Sequence, residues 1–198
     1  MRYGVFKKKF TDECIATIIA KIENASKNKD EQYFCKYRDA LQARVDTFAL
    51  QEKKYLVAAI IGEIGNNTFD HNWDFAKGHS RGTYLNLYEY KNTAVLADFG
   101  RGVKKSLEKV YKAKDDTDAV KIAFTEQISG RAPEQRGNGL KFVLESVKKK
   151  TWDLYFQSGT GCCIIRHGDV SFESSDIDVL GCLAILVFDG ERDEFGNK

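Results

Sequence analysis

The chain lacks several features that would place it in common functional classes. It has three histidines and five cysteines, but no CxxC pair, no HExxH motif and no Cys/His spacing typical of zinc ligands. No apolar run approaches the roughly 18 residues of a membrane-spanning helix, and the first residues do not resemble a signal peptide. These absences predict a cytoplasmic protein with reduced thiols, without a zinc site and without membrane association.

The charges show no excess of either sign. Lysine and arginine number 31 against 29 aspartates and glutamates, which gives a net charge of +2 over 198 residues. Proteins that bind nucleic acid usually carry a marked basic excess, so we expect no direct nucleic-acid partner. Hydrophobic residues make up 42% of the chain, which is enough for one domain with a full-sized core.

Apolar periodicity divides the chain into helices and strands. Predicted helices cover residues 11–23, with Thr11 as N-cap, and residues 33–45, 55–69, 103–113, 117–128 and 139–150. Predicted strands cover residues 83–90, 93–99, 152–157, 162–166, 170–172 and 182–188. This irregular alternation indicates an α/β fold with a mixed sheet and helices on one face. We expect a helical extension at 1–50, a main domain at 51–190 and a polar tail at 191–198.

The strongest predicted helix, at 55–69, carries an acid and an amide one turn apart. Its first face is Val57, Ile61, Ile64 and Thr68. Glu63 and Asn67 project together from the neighbouring face. An asparagine oxygen can hold a Mg²⁺ ion that keeps most of its waters, and a nearby glutamate can accept a proton from an attacking water or hydroxyl. A solvent-facing polar pair is the alternative interpretation.

Asp98 ends an apolar strand and is followed by Gly100 and Gly102. A carboxylate in this position can accept a hydrogen bond from the exocyclic amine of adenine, whereas guanine would present an oxygen there. The two glycines allow a sharp turn and a close approach to a base. An aspartate that only caps a turn after the strand is the alternative.

Gly137 and Gly139 precede the last predicted helix, beside Arg136. Backbone N–H groups at a helix N-terminus bind anions, and an adjacent arginine can contact a phosphate. The polar, broken segment between Gly102 and Gly137 is expected to fold over a bound nucleotide as a lid. The chain has no P-loop and no GxGxxG motif after a strand. A glycine-rich helix entry without a ligand is the alternative.

The three patterns follow one another in a fixed order, as Glu63-Ile-Gly-Asn-Asn67, Asp98-Phe-Gly-Arg-Gly102 and Gly137-Asn-Gly-Leu140. At average residue usage this ordered set arises by chance in roughly a few per ten thousand chains, so we treat it as one site. The set resembles the N, G1 and G2 boxes of the GHKL ATP-binding superfamily, which includes gyrase-type topoisomerases, histidine kinases and anti-sigma serine kinases. The similarity covers residues 55–188, and residues 1–50 lie outside it.

The resemblance implies a Bergerat fold, a two-layer α/β sandwich that binds ATP with Mg²⁺ in the domain at 51–190. It implies that Asn67 holds Mg²⁺, that Asp98 holds adenine and that Glu63 is the catalytic base. The full set that it places around the nucleotide also includes Asp70, His71, Gly100, Gly102, Arg136, Gly137, Asn138, Gly139 and Leu140. Cys182 stands where the family usually has a threonine near the adenine.

Glu63, and the lack of any histidine before His71, argue against an autophosphorylating histidine kinase. The chain most resembles the short, stand-alone anti-sigma serine-kinase type found in bacteria. We therefore expect a protein kinase or a nucleotide-dependent regulator of a small STAS-like or sigma-like partner protein. The alternative is a catalytically inactive ATPase-fold scaffold for protein interaction. The oligomeric state stays open, a homodimer included.

Overall fold

A computed structural model describes residues 10–71, 82–87, 92–108, 110–126 and 139–188, without the side chains of Asp70 and His71. The helices in this part of the chain are α1 (Asp12–Lys27), α2 (Arg38–Glu52), α3 (Tyr55–His71), α4 (Gly102–Leu107), α5 (Asp116–Thr125) and α6 (Gly139–Lys150). The strands are β1 (Phe34–Cys35), β2 (Thr83–Asn86), β3 (Thr93–Asp98), β4 (Asp153–Arg166) and β5 (Asp169–Val187). None of these helices is both long and apolar enough to cross a lipid bilayer.

The strands form one sheet in the order β1-β2-β3-β5-β4, and every neighbouring pair is antiparallel. The α/β class expected from the sequence is confirmed, but the expectation of a mixed sheet is wrong for these strands. β3 and β4 do run in the same direction, since each is antiparallel to β5. Because β5 lies between them, they do not form a parallel pair.

Helices α2, α3, α5 and α6 pack on one face of the sheet and form the main core with it. This is the two-layer α/β sandwich that the sequence predicted. Helix α1 lies on the opposite face, where Ile15, Ile18 and Ile22 meet Val95 and Ile185 in a second apolar cluster. The expectation that the helices share one face is therefore wrong for α1. Its isoleucine stripe needs an apolar surface, and alternate residues of β3 and β5 provide one.

The predicted helix at 33–45 is only partly present. Phe34 and Cys35 form a short strand that pairs with β2, and α2 begins at Arg38. A strand forms at this position because both residues are buried and their backbone groups need hydrogen-bond partners, which β2 supplies. Thr11 caps α1 as predicted, and that helix continues beyond its predicted end.

β4 and β5 are each one long strand where the sequence predicted two short ones. They form a hairpin whose turn residues, His167 and Gly168, both have positive φ, at 50° and 93°. The ladder is irregular around Gly159 and Gly161 but does not end there. Glycine and serine indicate strand breaks locally, whereas a long antiparallel pair absorbs them as bulges.

Helix α5 belongs to the layer that packs on the sheet. Phe124 is fully buried and meets an aromatic ring of β4 edge-on, with ring centroids 5.1 Å apart. At the start of the helix, the Asp116 carboxylate accepts a hydrogen bond from the N–H of Thr160 at 3.0 Å. The expectation of a lid over 103–136 is therefore wrong for α5, and the later part of that segment, 127–136, lies outside the described residues.

The state of the cysteines agrees with the expectation of reduced thiols. All five are free thiols. Cys162 lies in the cluster under α1 and Cys163 lies in the main core, so the two adjacent side chains face opposite sides of the sheet.

Candidate functional site

Helix α3 carries the first predicted motif, and its buried side is fixed by α2 and β2. Gly65 lies so close to α2 that a Cβ there would come within 2.7 Å of Leu41 Cδ2. The Gly65 carbonyl also accepts a hydrogen bond from Thr83 Oγ1 at 3.1 Å. These contacts hold the helix in one rotation, which leaves Glu63 exposed and Asn67 half-buried.

Glu63 lies against the N-terminus of α6. A Cβ built on Gly139 would overlap the Glu63 carboxylate and would lie 3.5 Å from Glu63 Cδ. The first and third motifs are therefore in contact. Unpaired backbone N–H groups at a helix N-terminus stabilise negative charge, so an anion is favoured at this position. Leu140, the next residue of α6, packs on the main core and anchors the helix start.

Asp98 ends β3 and is only 6% exposed. Its Oδ2 accepts a hydrogen bond from Thr68 Oγ1 of α3 at 3.3 Å, and its Oδ1 accepts one from the N–H of Gly100 at 2.8 Å. Burial raises the pKa of Asp98 from 3.8 to about 6, and the two hydrogen bonds offset part of that rise. The second motif therefore contacts α3 through Thr68, the residue that follows the first motif.

The turn after Asp98 packs against β4 and β5. Gly102 has a φ of +76°, and a Cβ there would come within 2.9 Å of Ser158 Oγ. The Ser158 hydroxyl accepts a hydrogen bond from the N–H of Val103 at 2.9 Å and donates one to the Gly181 carbonyl at 2.8 Å. Gly181 has a φ of +79°, and a Cβ there would come within 2.7 Å of Asp98 Oδ1. A larger residue at either glycine would displace the turn or the carboxylate.

Cys182 is the direct cross-strand partner of Asp98. Its burial, together with the negative charge of Asp98, raises the pKa of the thiol well above its ordinary value. The thiol therefore stays neutral at physiological pH and forms only weak hydrogen bonds beside the carboxylate.

Helix α3 joins the two contacts into one stretch. Glu63 and Thr68 are five residues apart in the helix, which corresponds to about 7.5 Å along its axis. The Asp98 carboxylate and the α6 N-terminus thus meet the same helix within two turns, and Asn67 lies between the two contact residues in the chain. A buried hydrogen-bond acceptor and a helix N-terminus are brought to opposite ends of this stretch.

A cavity of about 120 Å³ lies beside Asp98, on the α1 side of the sheet. Its walls come from α1, β3 and β5 and are mainly apolar, with Glu23 and Asp178 among the acidic residues. Glu63 and Asn67 are on α3, which packs on the other face. The cavity is therefore not the space that these two residues border.

Part of the predicted site lies outside the described residues. Arg136, Gly137 and Asn138 belong to this part, as do the side chains of Asp70 and His71. In the described segments, no three His, Cys, Asp or Glu side chains form a group that could hold a metal. That finding does not bear on Asn67, because Mg²⁺ bound to a nucleotide takes few protein ligands.

Three residues of this arrangement are not among the sequence-predicted site residues. Periodicity assigns Thr68 to the first face of α3, and it assigns Ser158 and Gly181 to the neighbourhood of strands. Thr68 carries a usable signal, because a hydroxyl in an otherwise apolar stripe needs a polar partner. Ser158 carries no comparable signal, since its contacts are with residues far along the chain.

Comparison of the chain with protein-family models gives no match, and comparison with curated proteins finds no significant relative. The functional inference therefore rests on the three motifs and on the contacts between them.

Proposed function

We propose that the protein binds ATP with Mg²⁺ through the three motifs and acts as a protein kinase or nucleotide-dependent regulator of a small partner protein. The observation that carries the proposal is the meeting of the motifs along α3, with Glu63 against Gly139 and Thr68 against Asp98. Packing alone would favour an apolar residue at a position as buried as Asp98.

Asp98 is suited to the amino group of adenine. Its oxygens accept hydrogen bonds from Thr68 and Gly100, and a carboxylate oxygen can accept from more than one donor. With a pKa of about 6, the carboxylate is mostly ionised at neutral pH and acts as an acceptor. Gly181 supports this role, because a side chain there would press on Asp98 Oδ1.

The opposite end of the stretch is suited to the phosphates. The N–H groups at the start of α6 would bind phosphate oxygens, and the Asn67 oxygen would hold Mg²⁺. Bound Mg²⁺ would supply charge neutralisation on the phosphates. Glu63 is exposed and borders this helix start, where it can accept a proton from an attacking water or hydroxyl.

We propose a cytoplasmic STAS-like or sigma-like protein as the partner, by similarity to the anti-sigma serine kinases. Glu63 would then activate a serine hydroxyl of that partner. The alternative is a scaffold of the same fold that interacts with proteins without turning ATP over.

Calorimetric titration with Mg-ATP tests the binding. We expect saturable binding by the wild type and a loss on the order of 100-fold in Asp98→Asn, because a charged acceptor is removed. Asp176→Asn removes the same charge from an exposed position of β5 and is the matched control, with wild-type affinity expected. No saturable heat in the wild type, or equal affinities in the two variants, would refute the proposal.

Turnover separates an enzyme from a scaffold. Glu63→Gln keeps the size of the side chain but cannot accept the proton. We expect it to bind Mg-ATP like the wild type and to lose on the order of 10²- to 10⁴-fold in the rate of phosphate release or transfer. A wild type that binds Mg-ATP without any turnover, in the presence of its partner, would favour the scaffold.

A further inference from the structure

Strand β5 departs from its ladder with β4 close to the end of β3. Between the pairs Gly161–Ser174 and Gln157–Leu183, β5 advances by nine residues, from 174 to 183, whereas β4 covers only four, from 157 to 161. Extra residues in one strand form bulges, which are over-represented next to functional sites. The surplus lies in the β5 segment 175–182, which therefore bulges from the ladder beside the second motif.

A buried glutamine fixes the shape of this bulge. The Gln157 side chain is fully buried, and its amide group donates hydrogen bonds to the carbonyls of Ile177, at 2.5 Å, and Gly159, at 2.9 Å. Its Oε1 accepts a hydrogen bond from the Tyr155 hydroxyl at 2.6 Å. Because these bonds hold the bulge in one shape, the space beside it is formed before any ligand binds.

The cavity beside Asp98 lies between this bulge, α1 and the end of β3. Apolar side chains cover most of its wall, among them Ile19 and Ile22 of α1, Phe99 after β3 and Val179 of β5. An apolar cavity of about 150 Å³ can hold benzene. A volume of about 120 Å³ therefore suits an apolar body of about six non-hydrogen atoms.

Two carboxylates make this cavity acidic. Glu23 of α1 is half-buried, Asp178 of the bulge is exposed, and both contribute to the wall. The lining that the described residues provide includes no lysine, arginine or histidine. A positively charged group is therefore favoured next to the apolar space, whereas an anion would meet two like charges.

We propose that this cavity is a ligand site distinct from the space that Glu63 and Asn67 border, and that it takes a small compound with an apolar body and a protonated amino group. The apolar body lies between α1 and β5, and the amino group is directed to Glu23 and Asp178. The inference is independent of the proposed nucleotide function, because a nucleoside triphosphate is much larger than the cavity and negatively charged.

Benzylamine, benzyl alcohol and benzoate test the inference, because they share an aromatic body and are respectively positive, neutral and negative at neutral pH. Each is titrated into the isotope-labelled protein without nucleotide, and amide chemical shifts are followed by NMR. We expect benzylamine to bind with a Kd on the order of 1 mM and to shift the signals of Ile22 and Val179. Benzyl alcohol should bind about 10-fold more weakly and benzoate not measurably, because the charge-assisted hydrogen bond is lost or replaced by repulsion.

A double variant, Glu23→Gln with Asp178→Asn, removes both charges from the wall of the cavity. We expect it to bind benzylamine about as weakly as benzyl alcohol, with its affinity for the alcohol unchanged. The matched control is Glu13→Gln with Asp176→Asn, which removes the same charge from exposed positions of α1 and β5 that are not among the described lining residues. The control should keep the wild-type preference for the amine.

The possible failures are distinct from those of the proposed function. Circular dichroism establishes that each variant is folded, and if the first double variant is not, Glu23→Gln alone takes its place with an expected loss of about threefold for benzylamine. The inference would be overturned by the absence of saturable shifts at the cavity, by equal binding of benzylamine and benzoate, or by equal losses in the cavity variant and the control. None of these outcomes affects Mg-ATP binding, which is measured separately.

Discussion

The buried carboxylate of Asp98 should make the stability of the protein depend on pH in a way that one substitution removes. Its pKa is 3.8 in an exposed reference state and about 6 in the folded protein. Each pKa unit corresponds to about 1.4 kcal/mol, so ionising Asp98 in the folded state costs about 3 kcal/mol. Asp98→Asn removes this cost, because an amide carries no charge to bury.

The direction of this pH dependence follows from the number of protons that the folded and the unfolded state bind. Between pH 3.8 and about 6, folded Asp98 holds a proton that the unfolded chain has released, so the free energy of unfolding falls as the pH rises. Above that window both states are ionised and the cost is constant. About 2 of the 3 kcal/mol should develop between pH 4.5 and pH 7.5. Asp98→Asn should therefore gain about 2 kcal/mol on the wild type over that interval.

Urea unfolding at the two pH values measures this gain as a difference of differences. A constant penalty for the altered hydrogen bonds of the amide, to Thr68 and Gly100, cancels in that quantity. Asp176→Asn, at an exposed position of β5, controls for the change in net charge. A gap between Asp98→Asn and the wild type that is the same at both pH values would show that Asp98 is not buried at this cost.

Three further substitutions, with Gly62→Ala as the control for the first, test the packing of the site and of α5. In urea unfolding, Gly181→Ala should lower the free energy of unfolding by about 2–4 kcal/mol, because φ is +79° and the added Cβ would overlap backbone atoms. Gly62→Ala has nothing within 4 Å of the added Cβ and should raise that free energy by about 0.5–1 kcal/mol, so equal effects of the two variants would contradict this prediction. Gly139→Ala overlaps only the end of the Glu63 side chain, so thermal unfolding should be almost unchanged while Mg-ATP turnover falls; unchanged turnover would separate Gly139 from the site. Phe124→Ala should lower the free energy of unfolding in urea by about 3–5 kcal/mol, since the ring is fully buried. A loss below about 1 kcal/mol would instead favour α5 as part of a mobile lid.

Elements with strong local signals were predictable from the sequence. The helix predicted at 139–150 has the same bounds as α6, because a glycine entry, apolar residues at helical spacing and a lysine-rich end all lie within that segment. Helix α1 was predictable for similar reasons, through its isoleucine stripe and its Thr11 cap. Local chemistry was sufficient wherever the signal and the element were the same stretch of chain.

Features that depend on distant partners were not predictable in this way. An isoleucine stripe predicts that α1 packs on something apolar, but it does not say on which face of the sheet. Phe34 and Cys35 form a strand because β2 lies beside them. The glycines in β4 and β5 indicate breaks until the long hairpin that absorbs them is known.

The candidate site shows the same difference between local signals and contacts with distant residues. The order of the motifs predicted that Glu63, Asp98 and Gly139 share a site, and this stays a prediction. In the described residues, Glu63 lies against Gly139, and Asp98 contacts α3 through Thr68. The supporting residues Thr68 and Ser158 could not be assigned from spacing alone. Thr68 and Asp98 are 30 positions apart, and only the docking of α3 on the sheet brings them together.

The end of the β3–β5 pair concentrates features that make the fold less stable. A carboxylate is buried there at a cost of about 3 kcal/mol on the pKa relation, and Gly102 and Gly181 both have positive φ. A neutral residue at 98 would fold as well or better, and glycine is the residue type that loses most entropy on folding. Locally destabilising features are typical of functional sites, where the rest of the core offsets their cost in free energy. Their location at the second of the three motifs therefore favours a binding site over a structural turn.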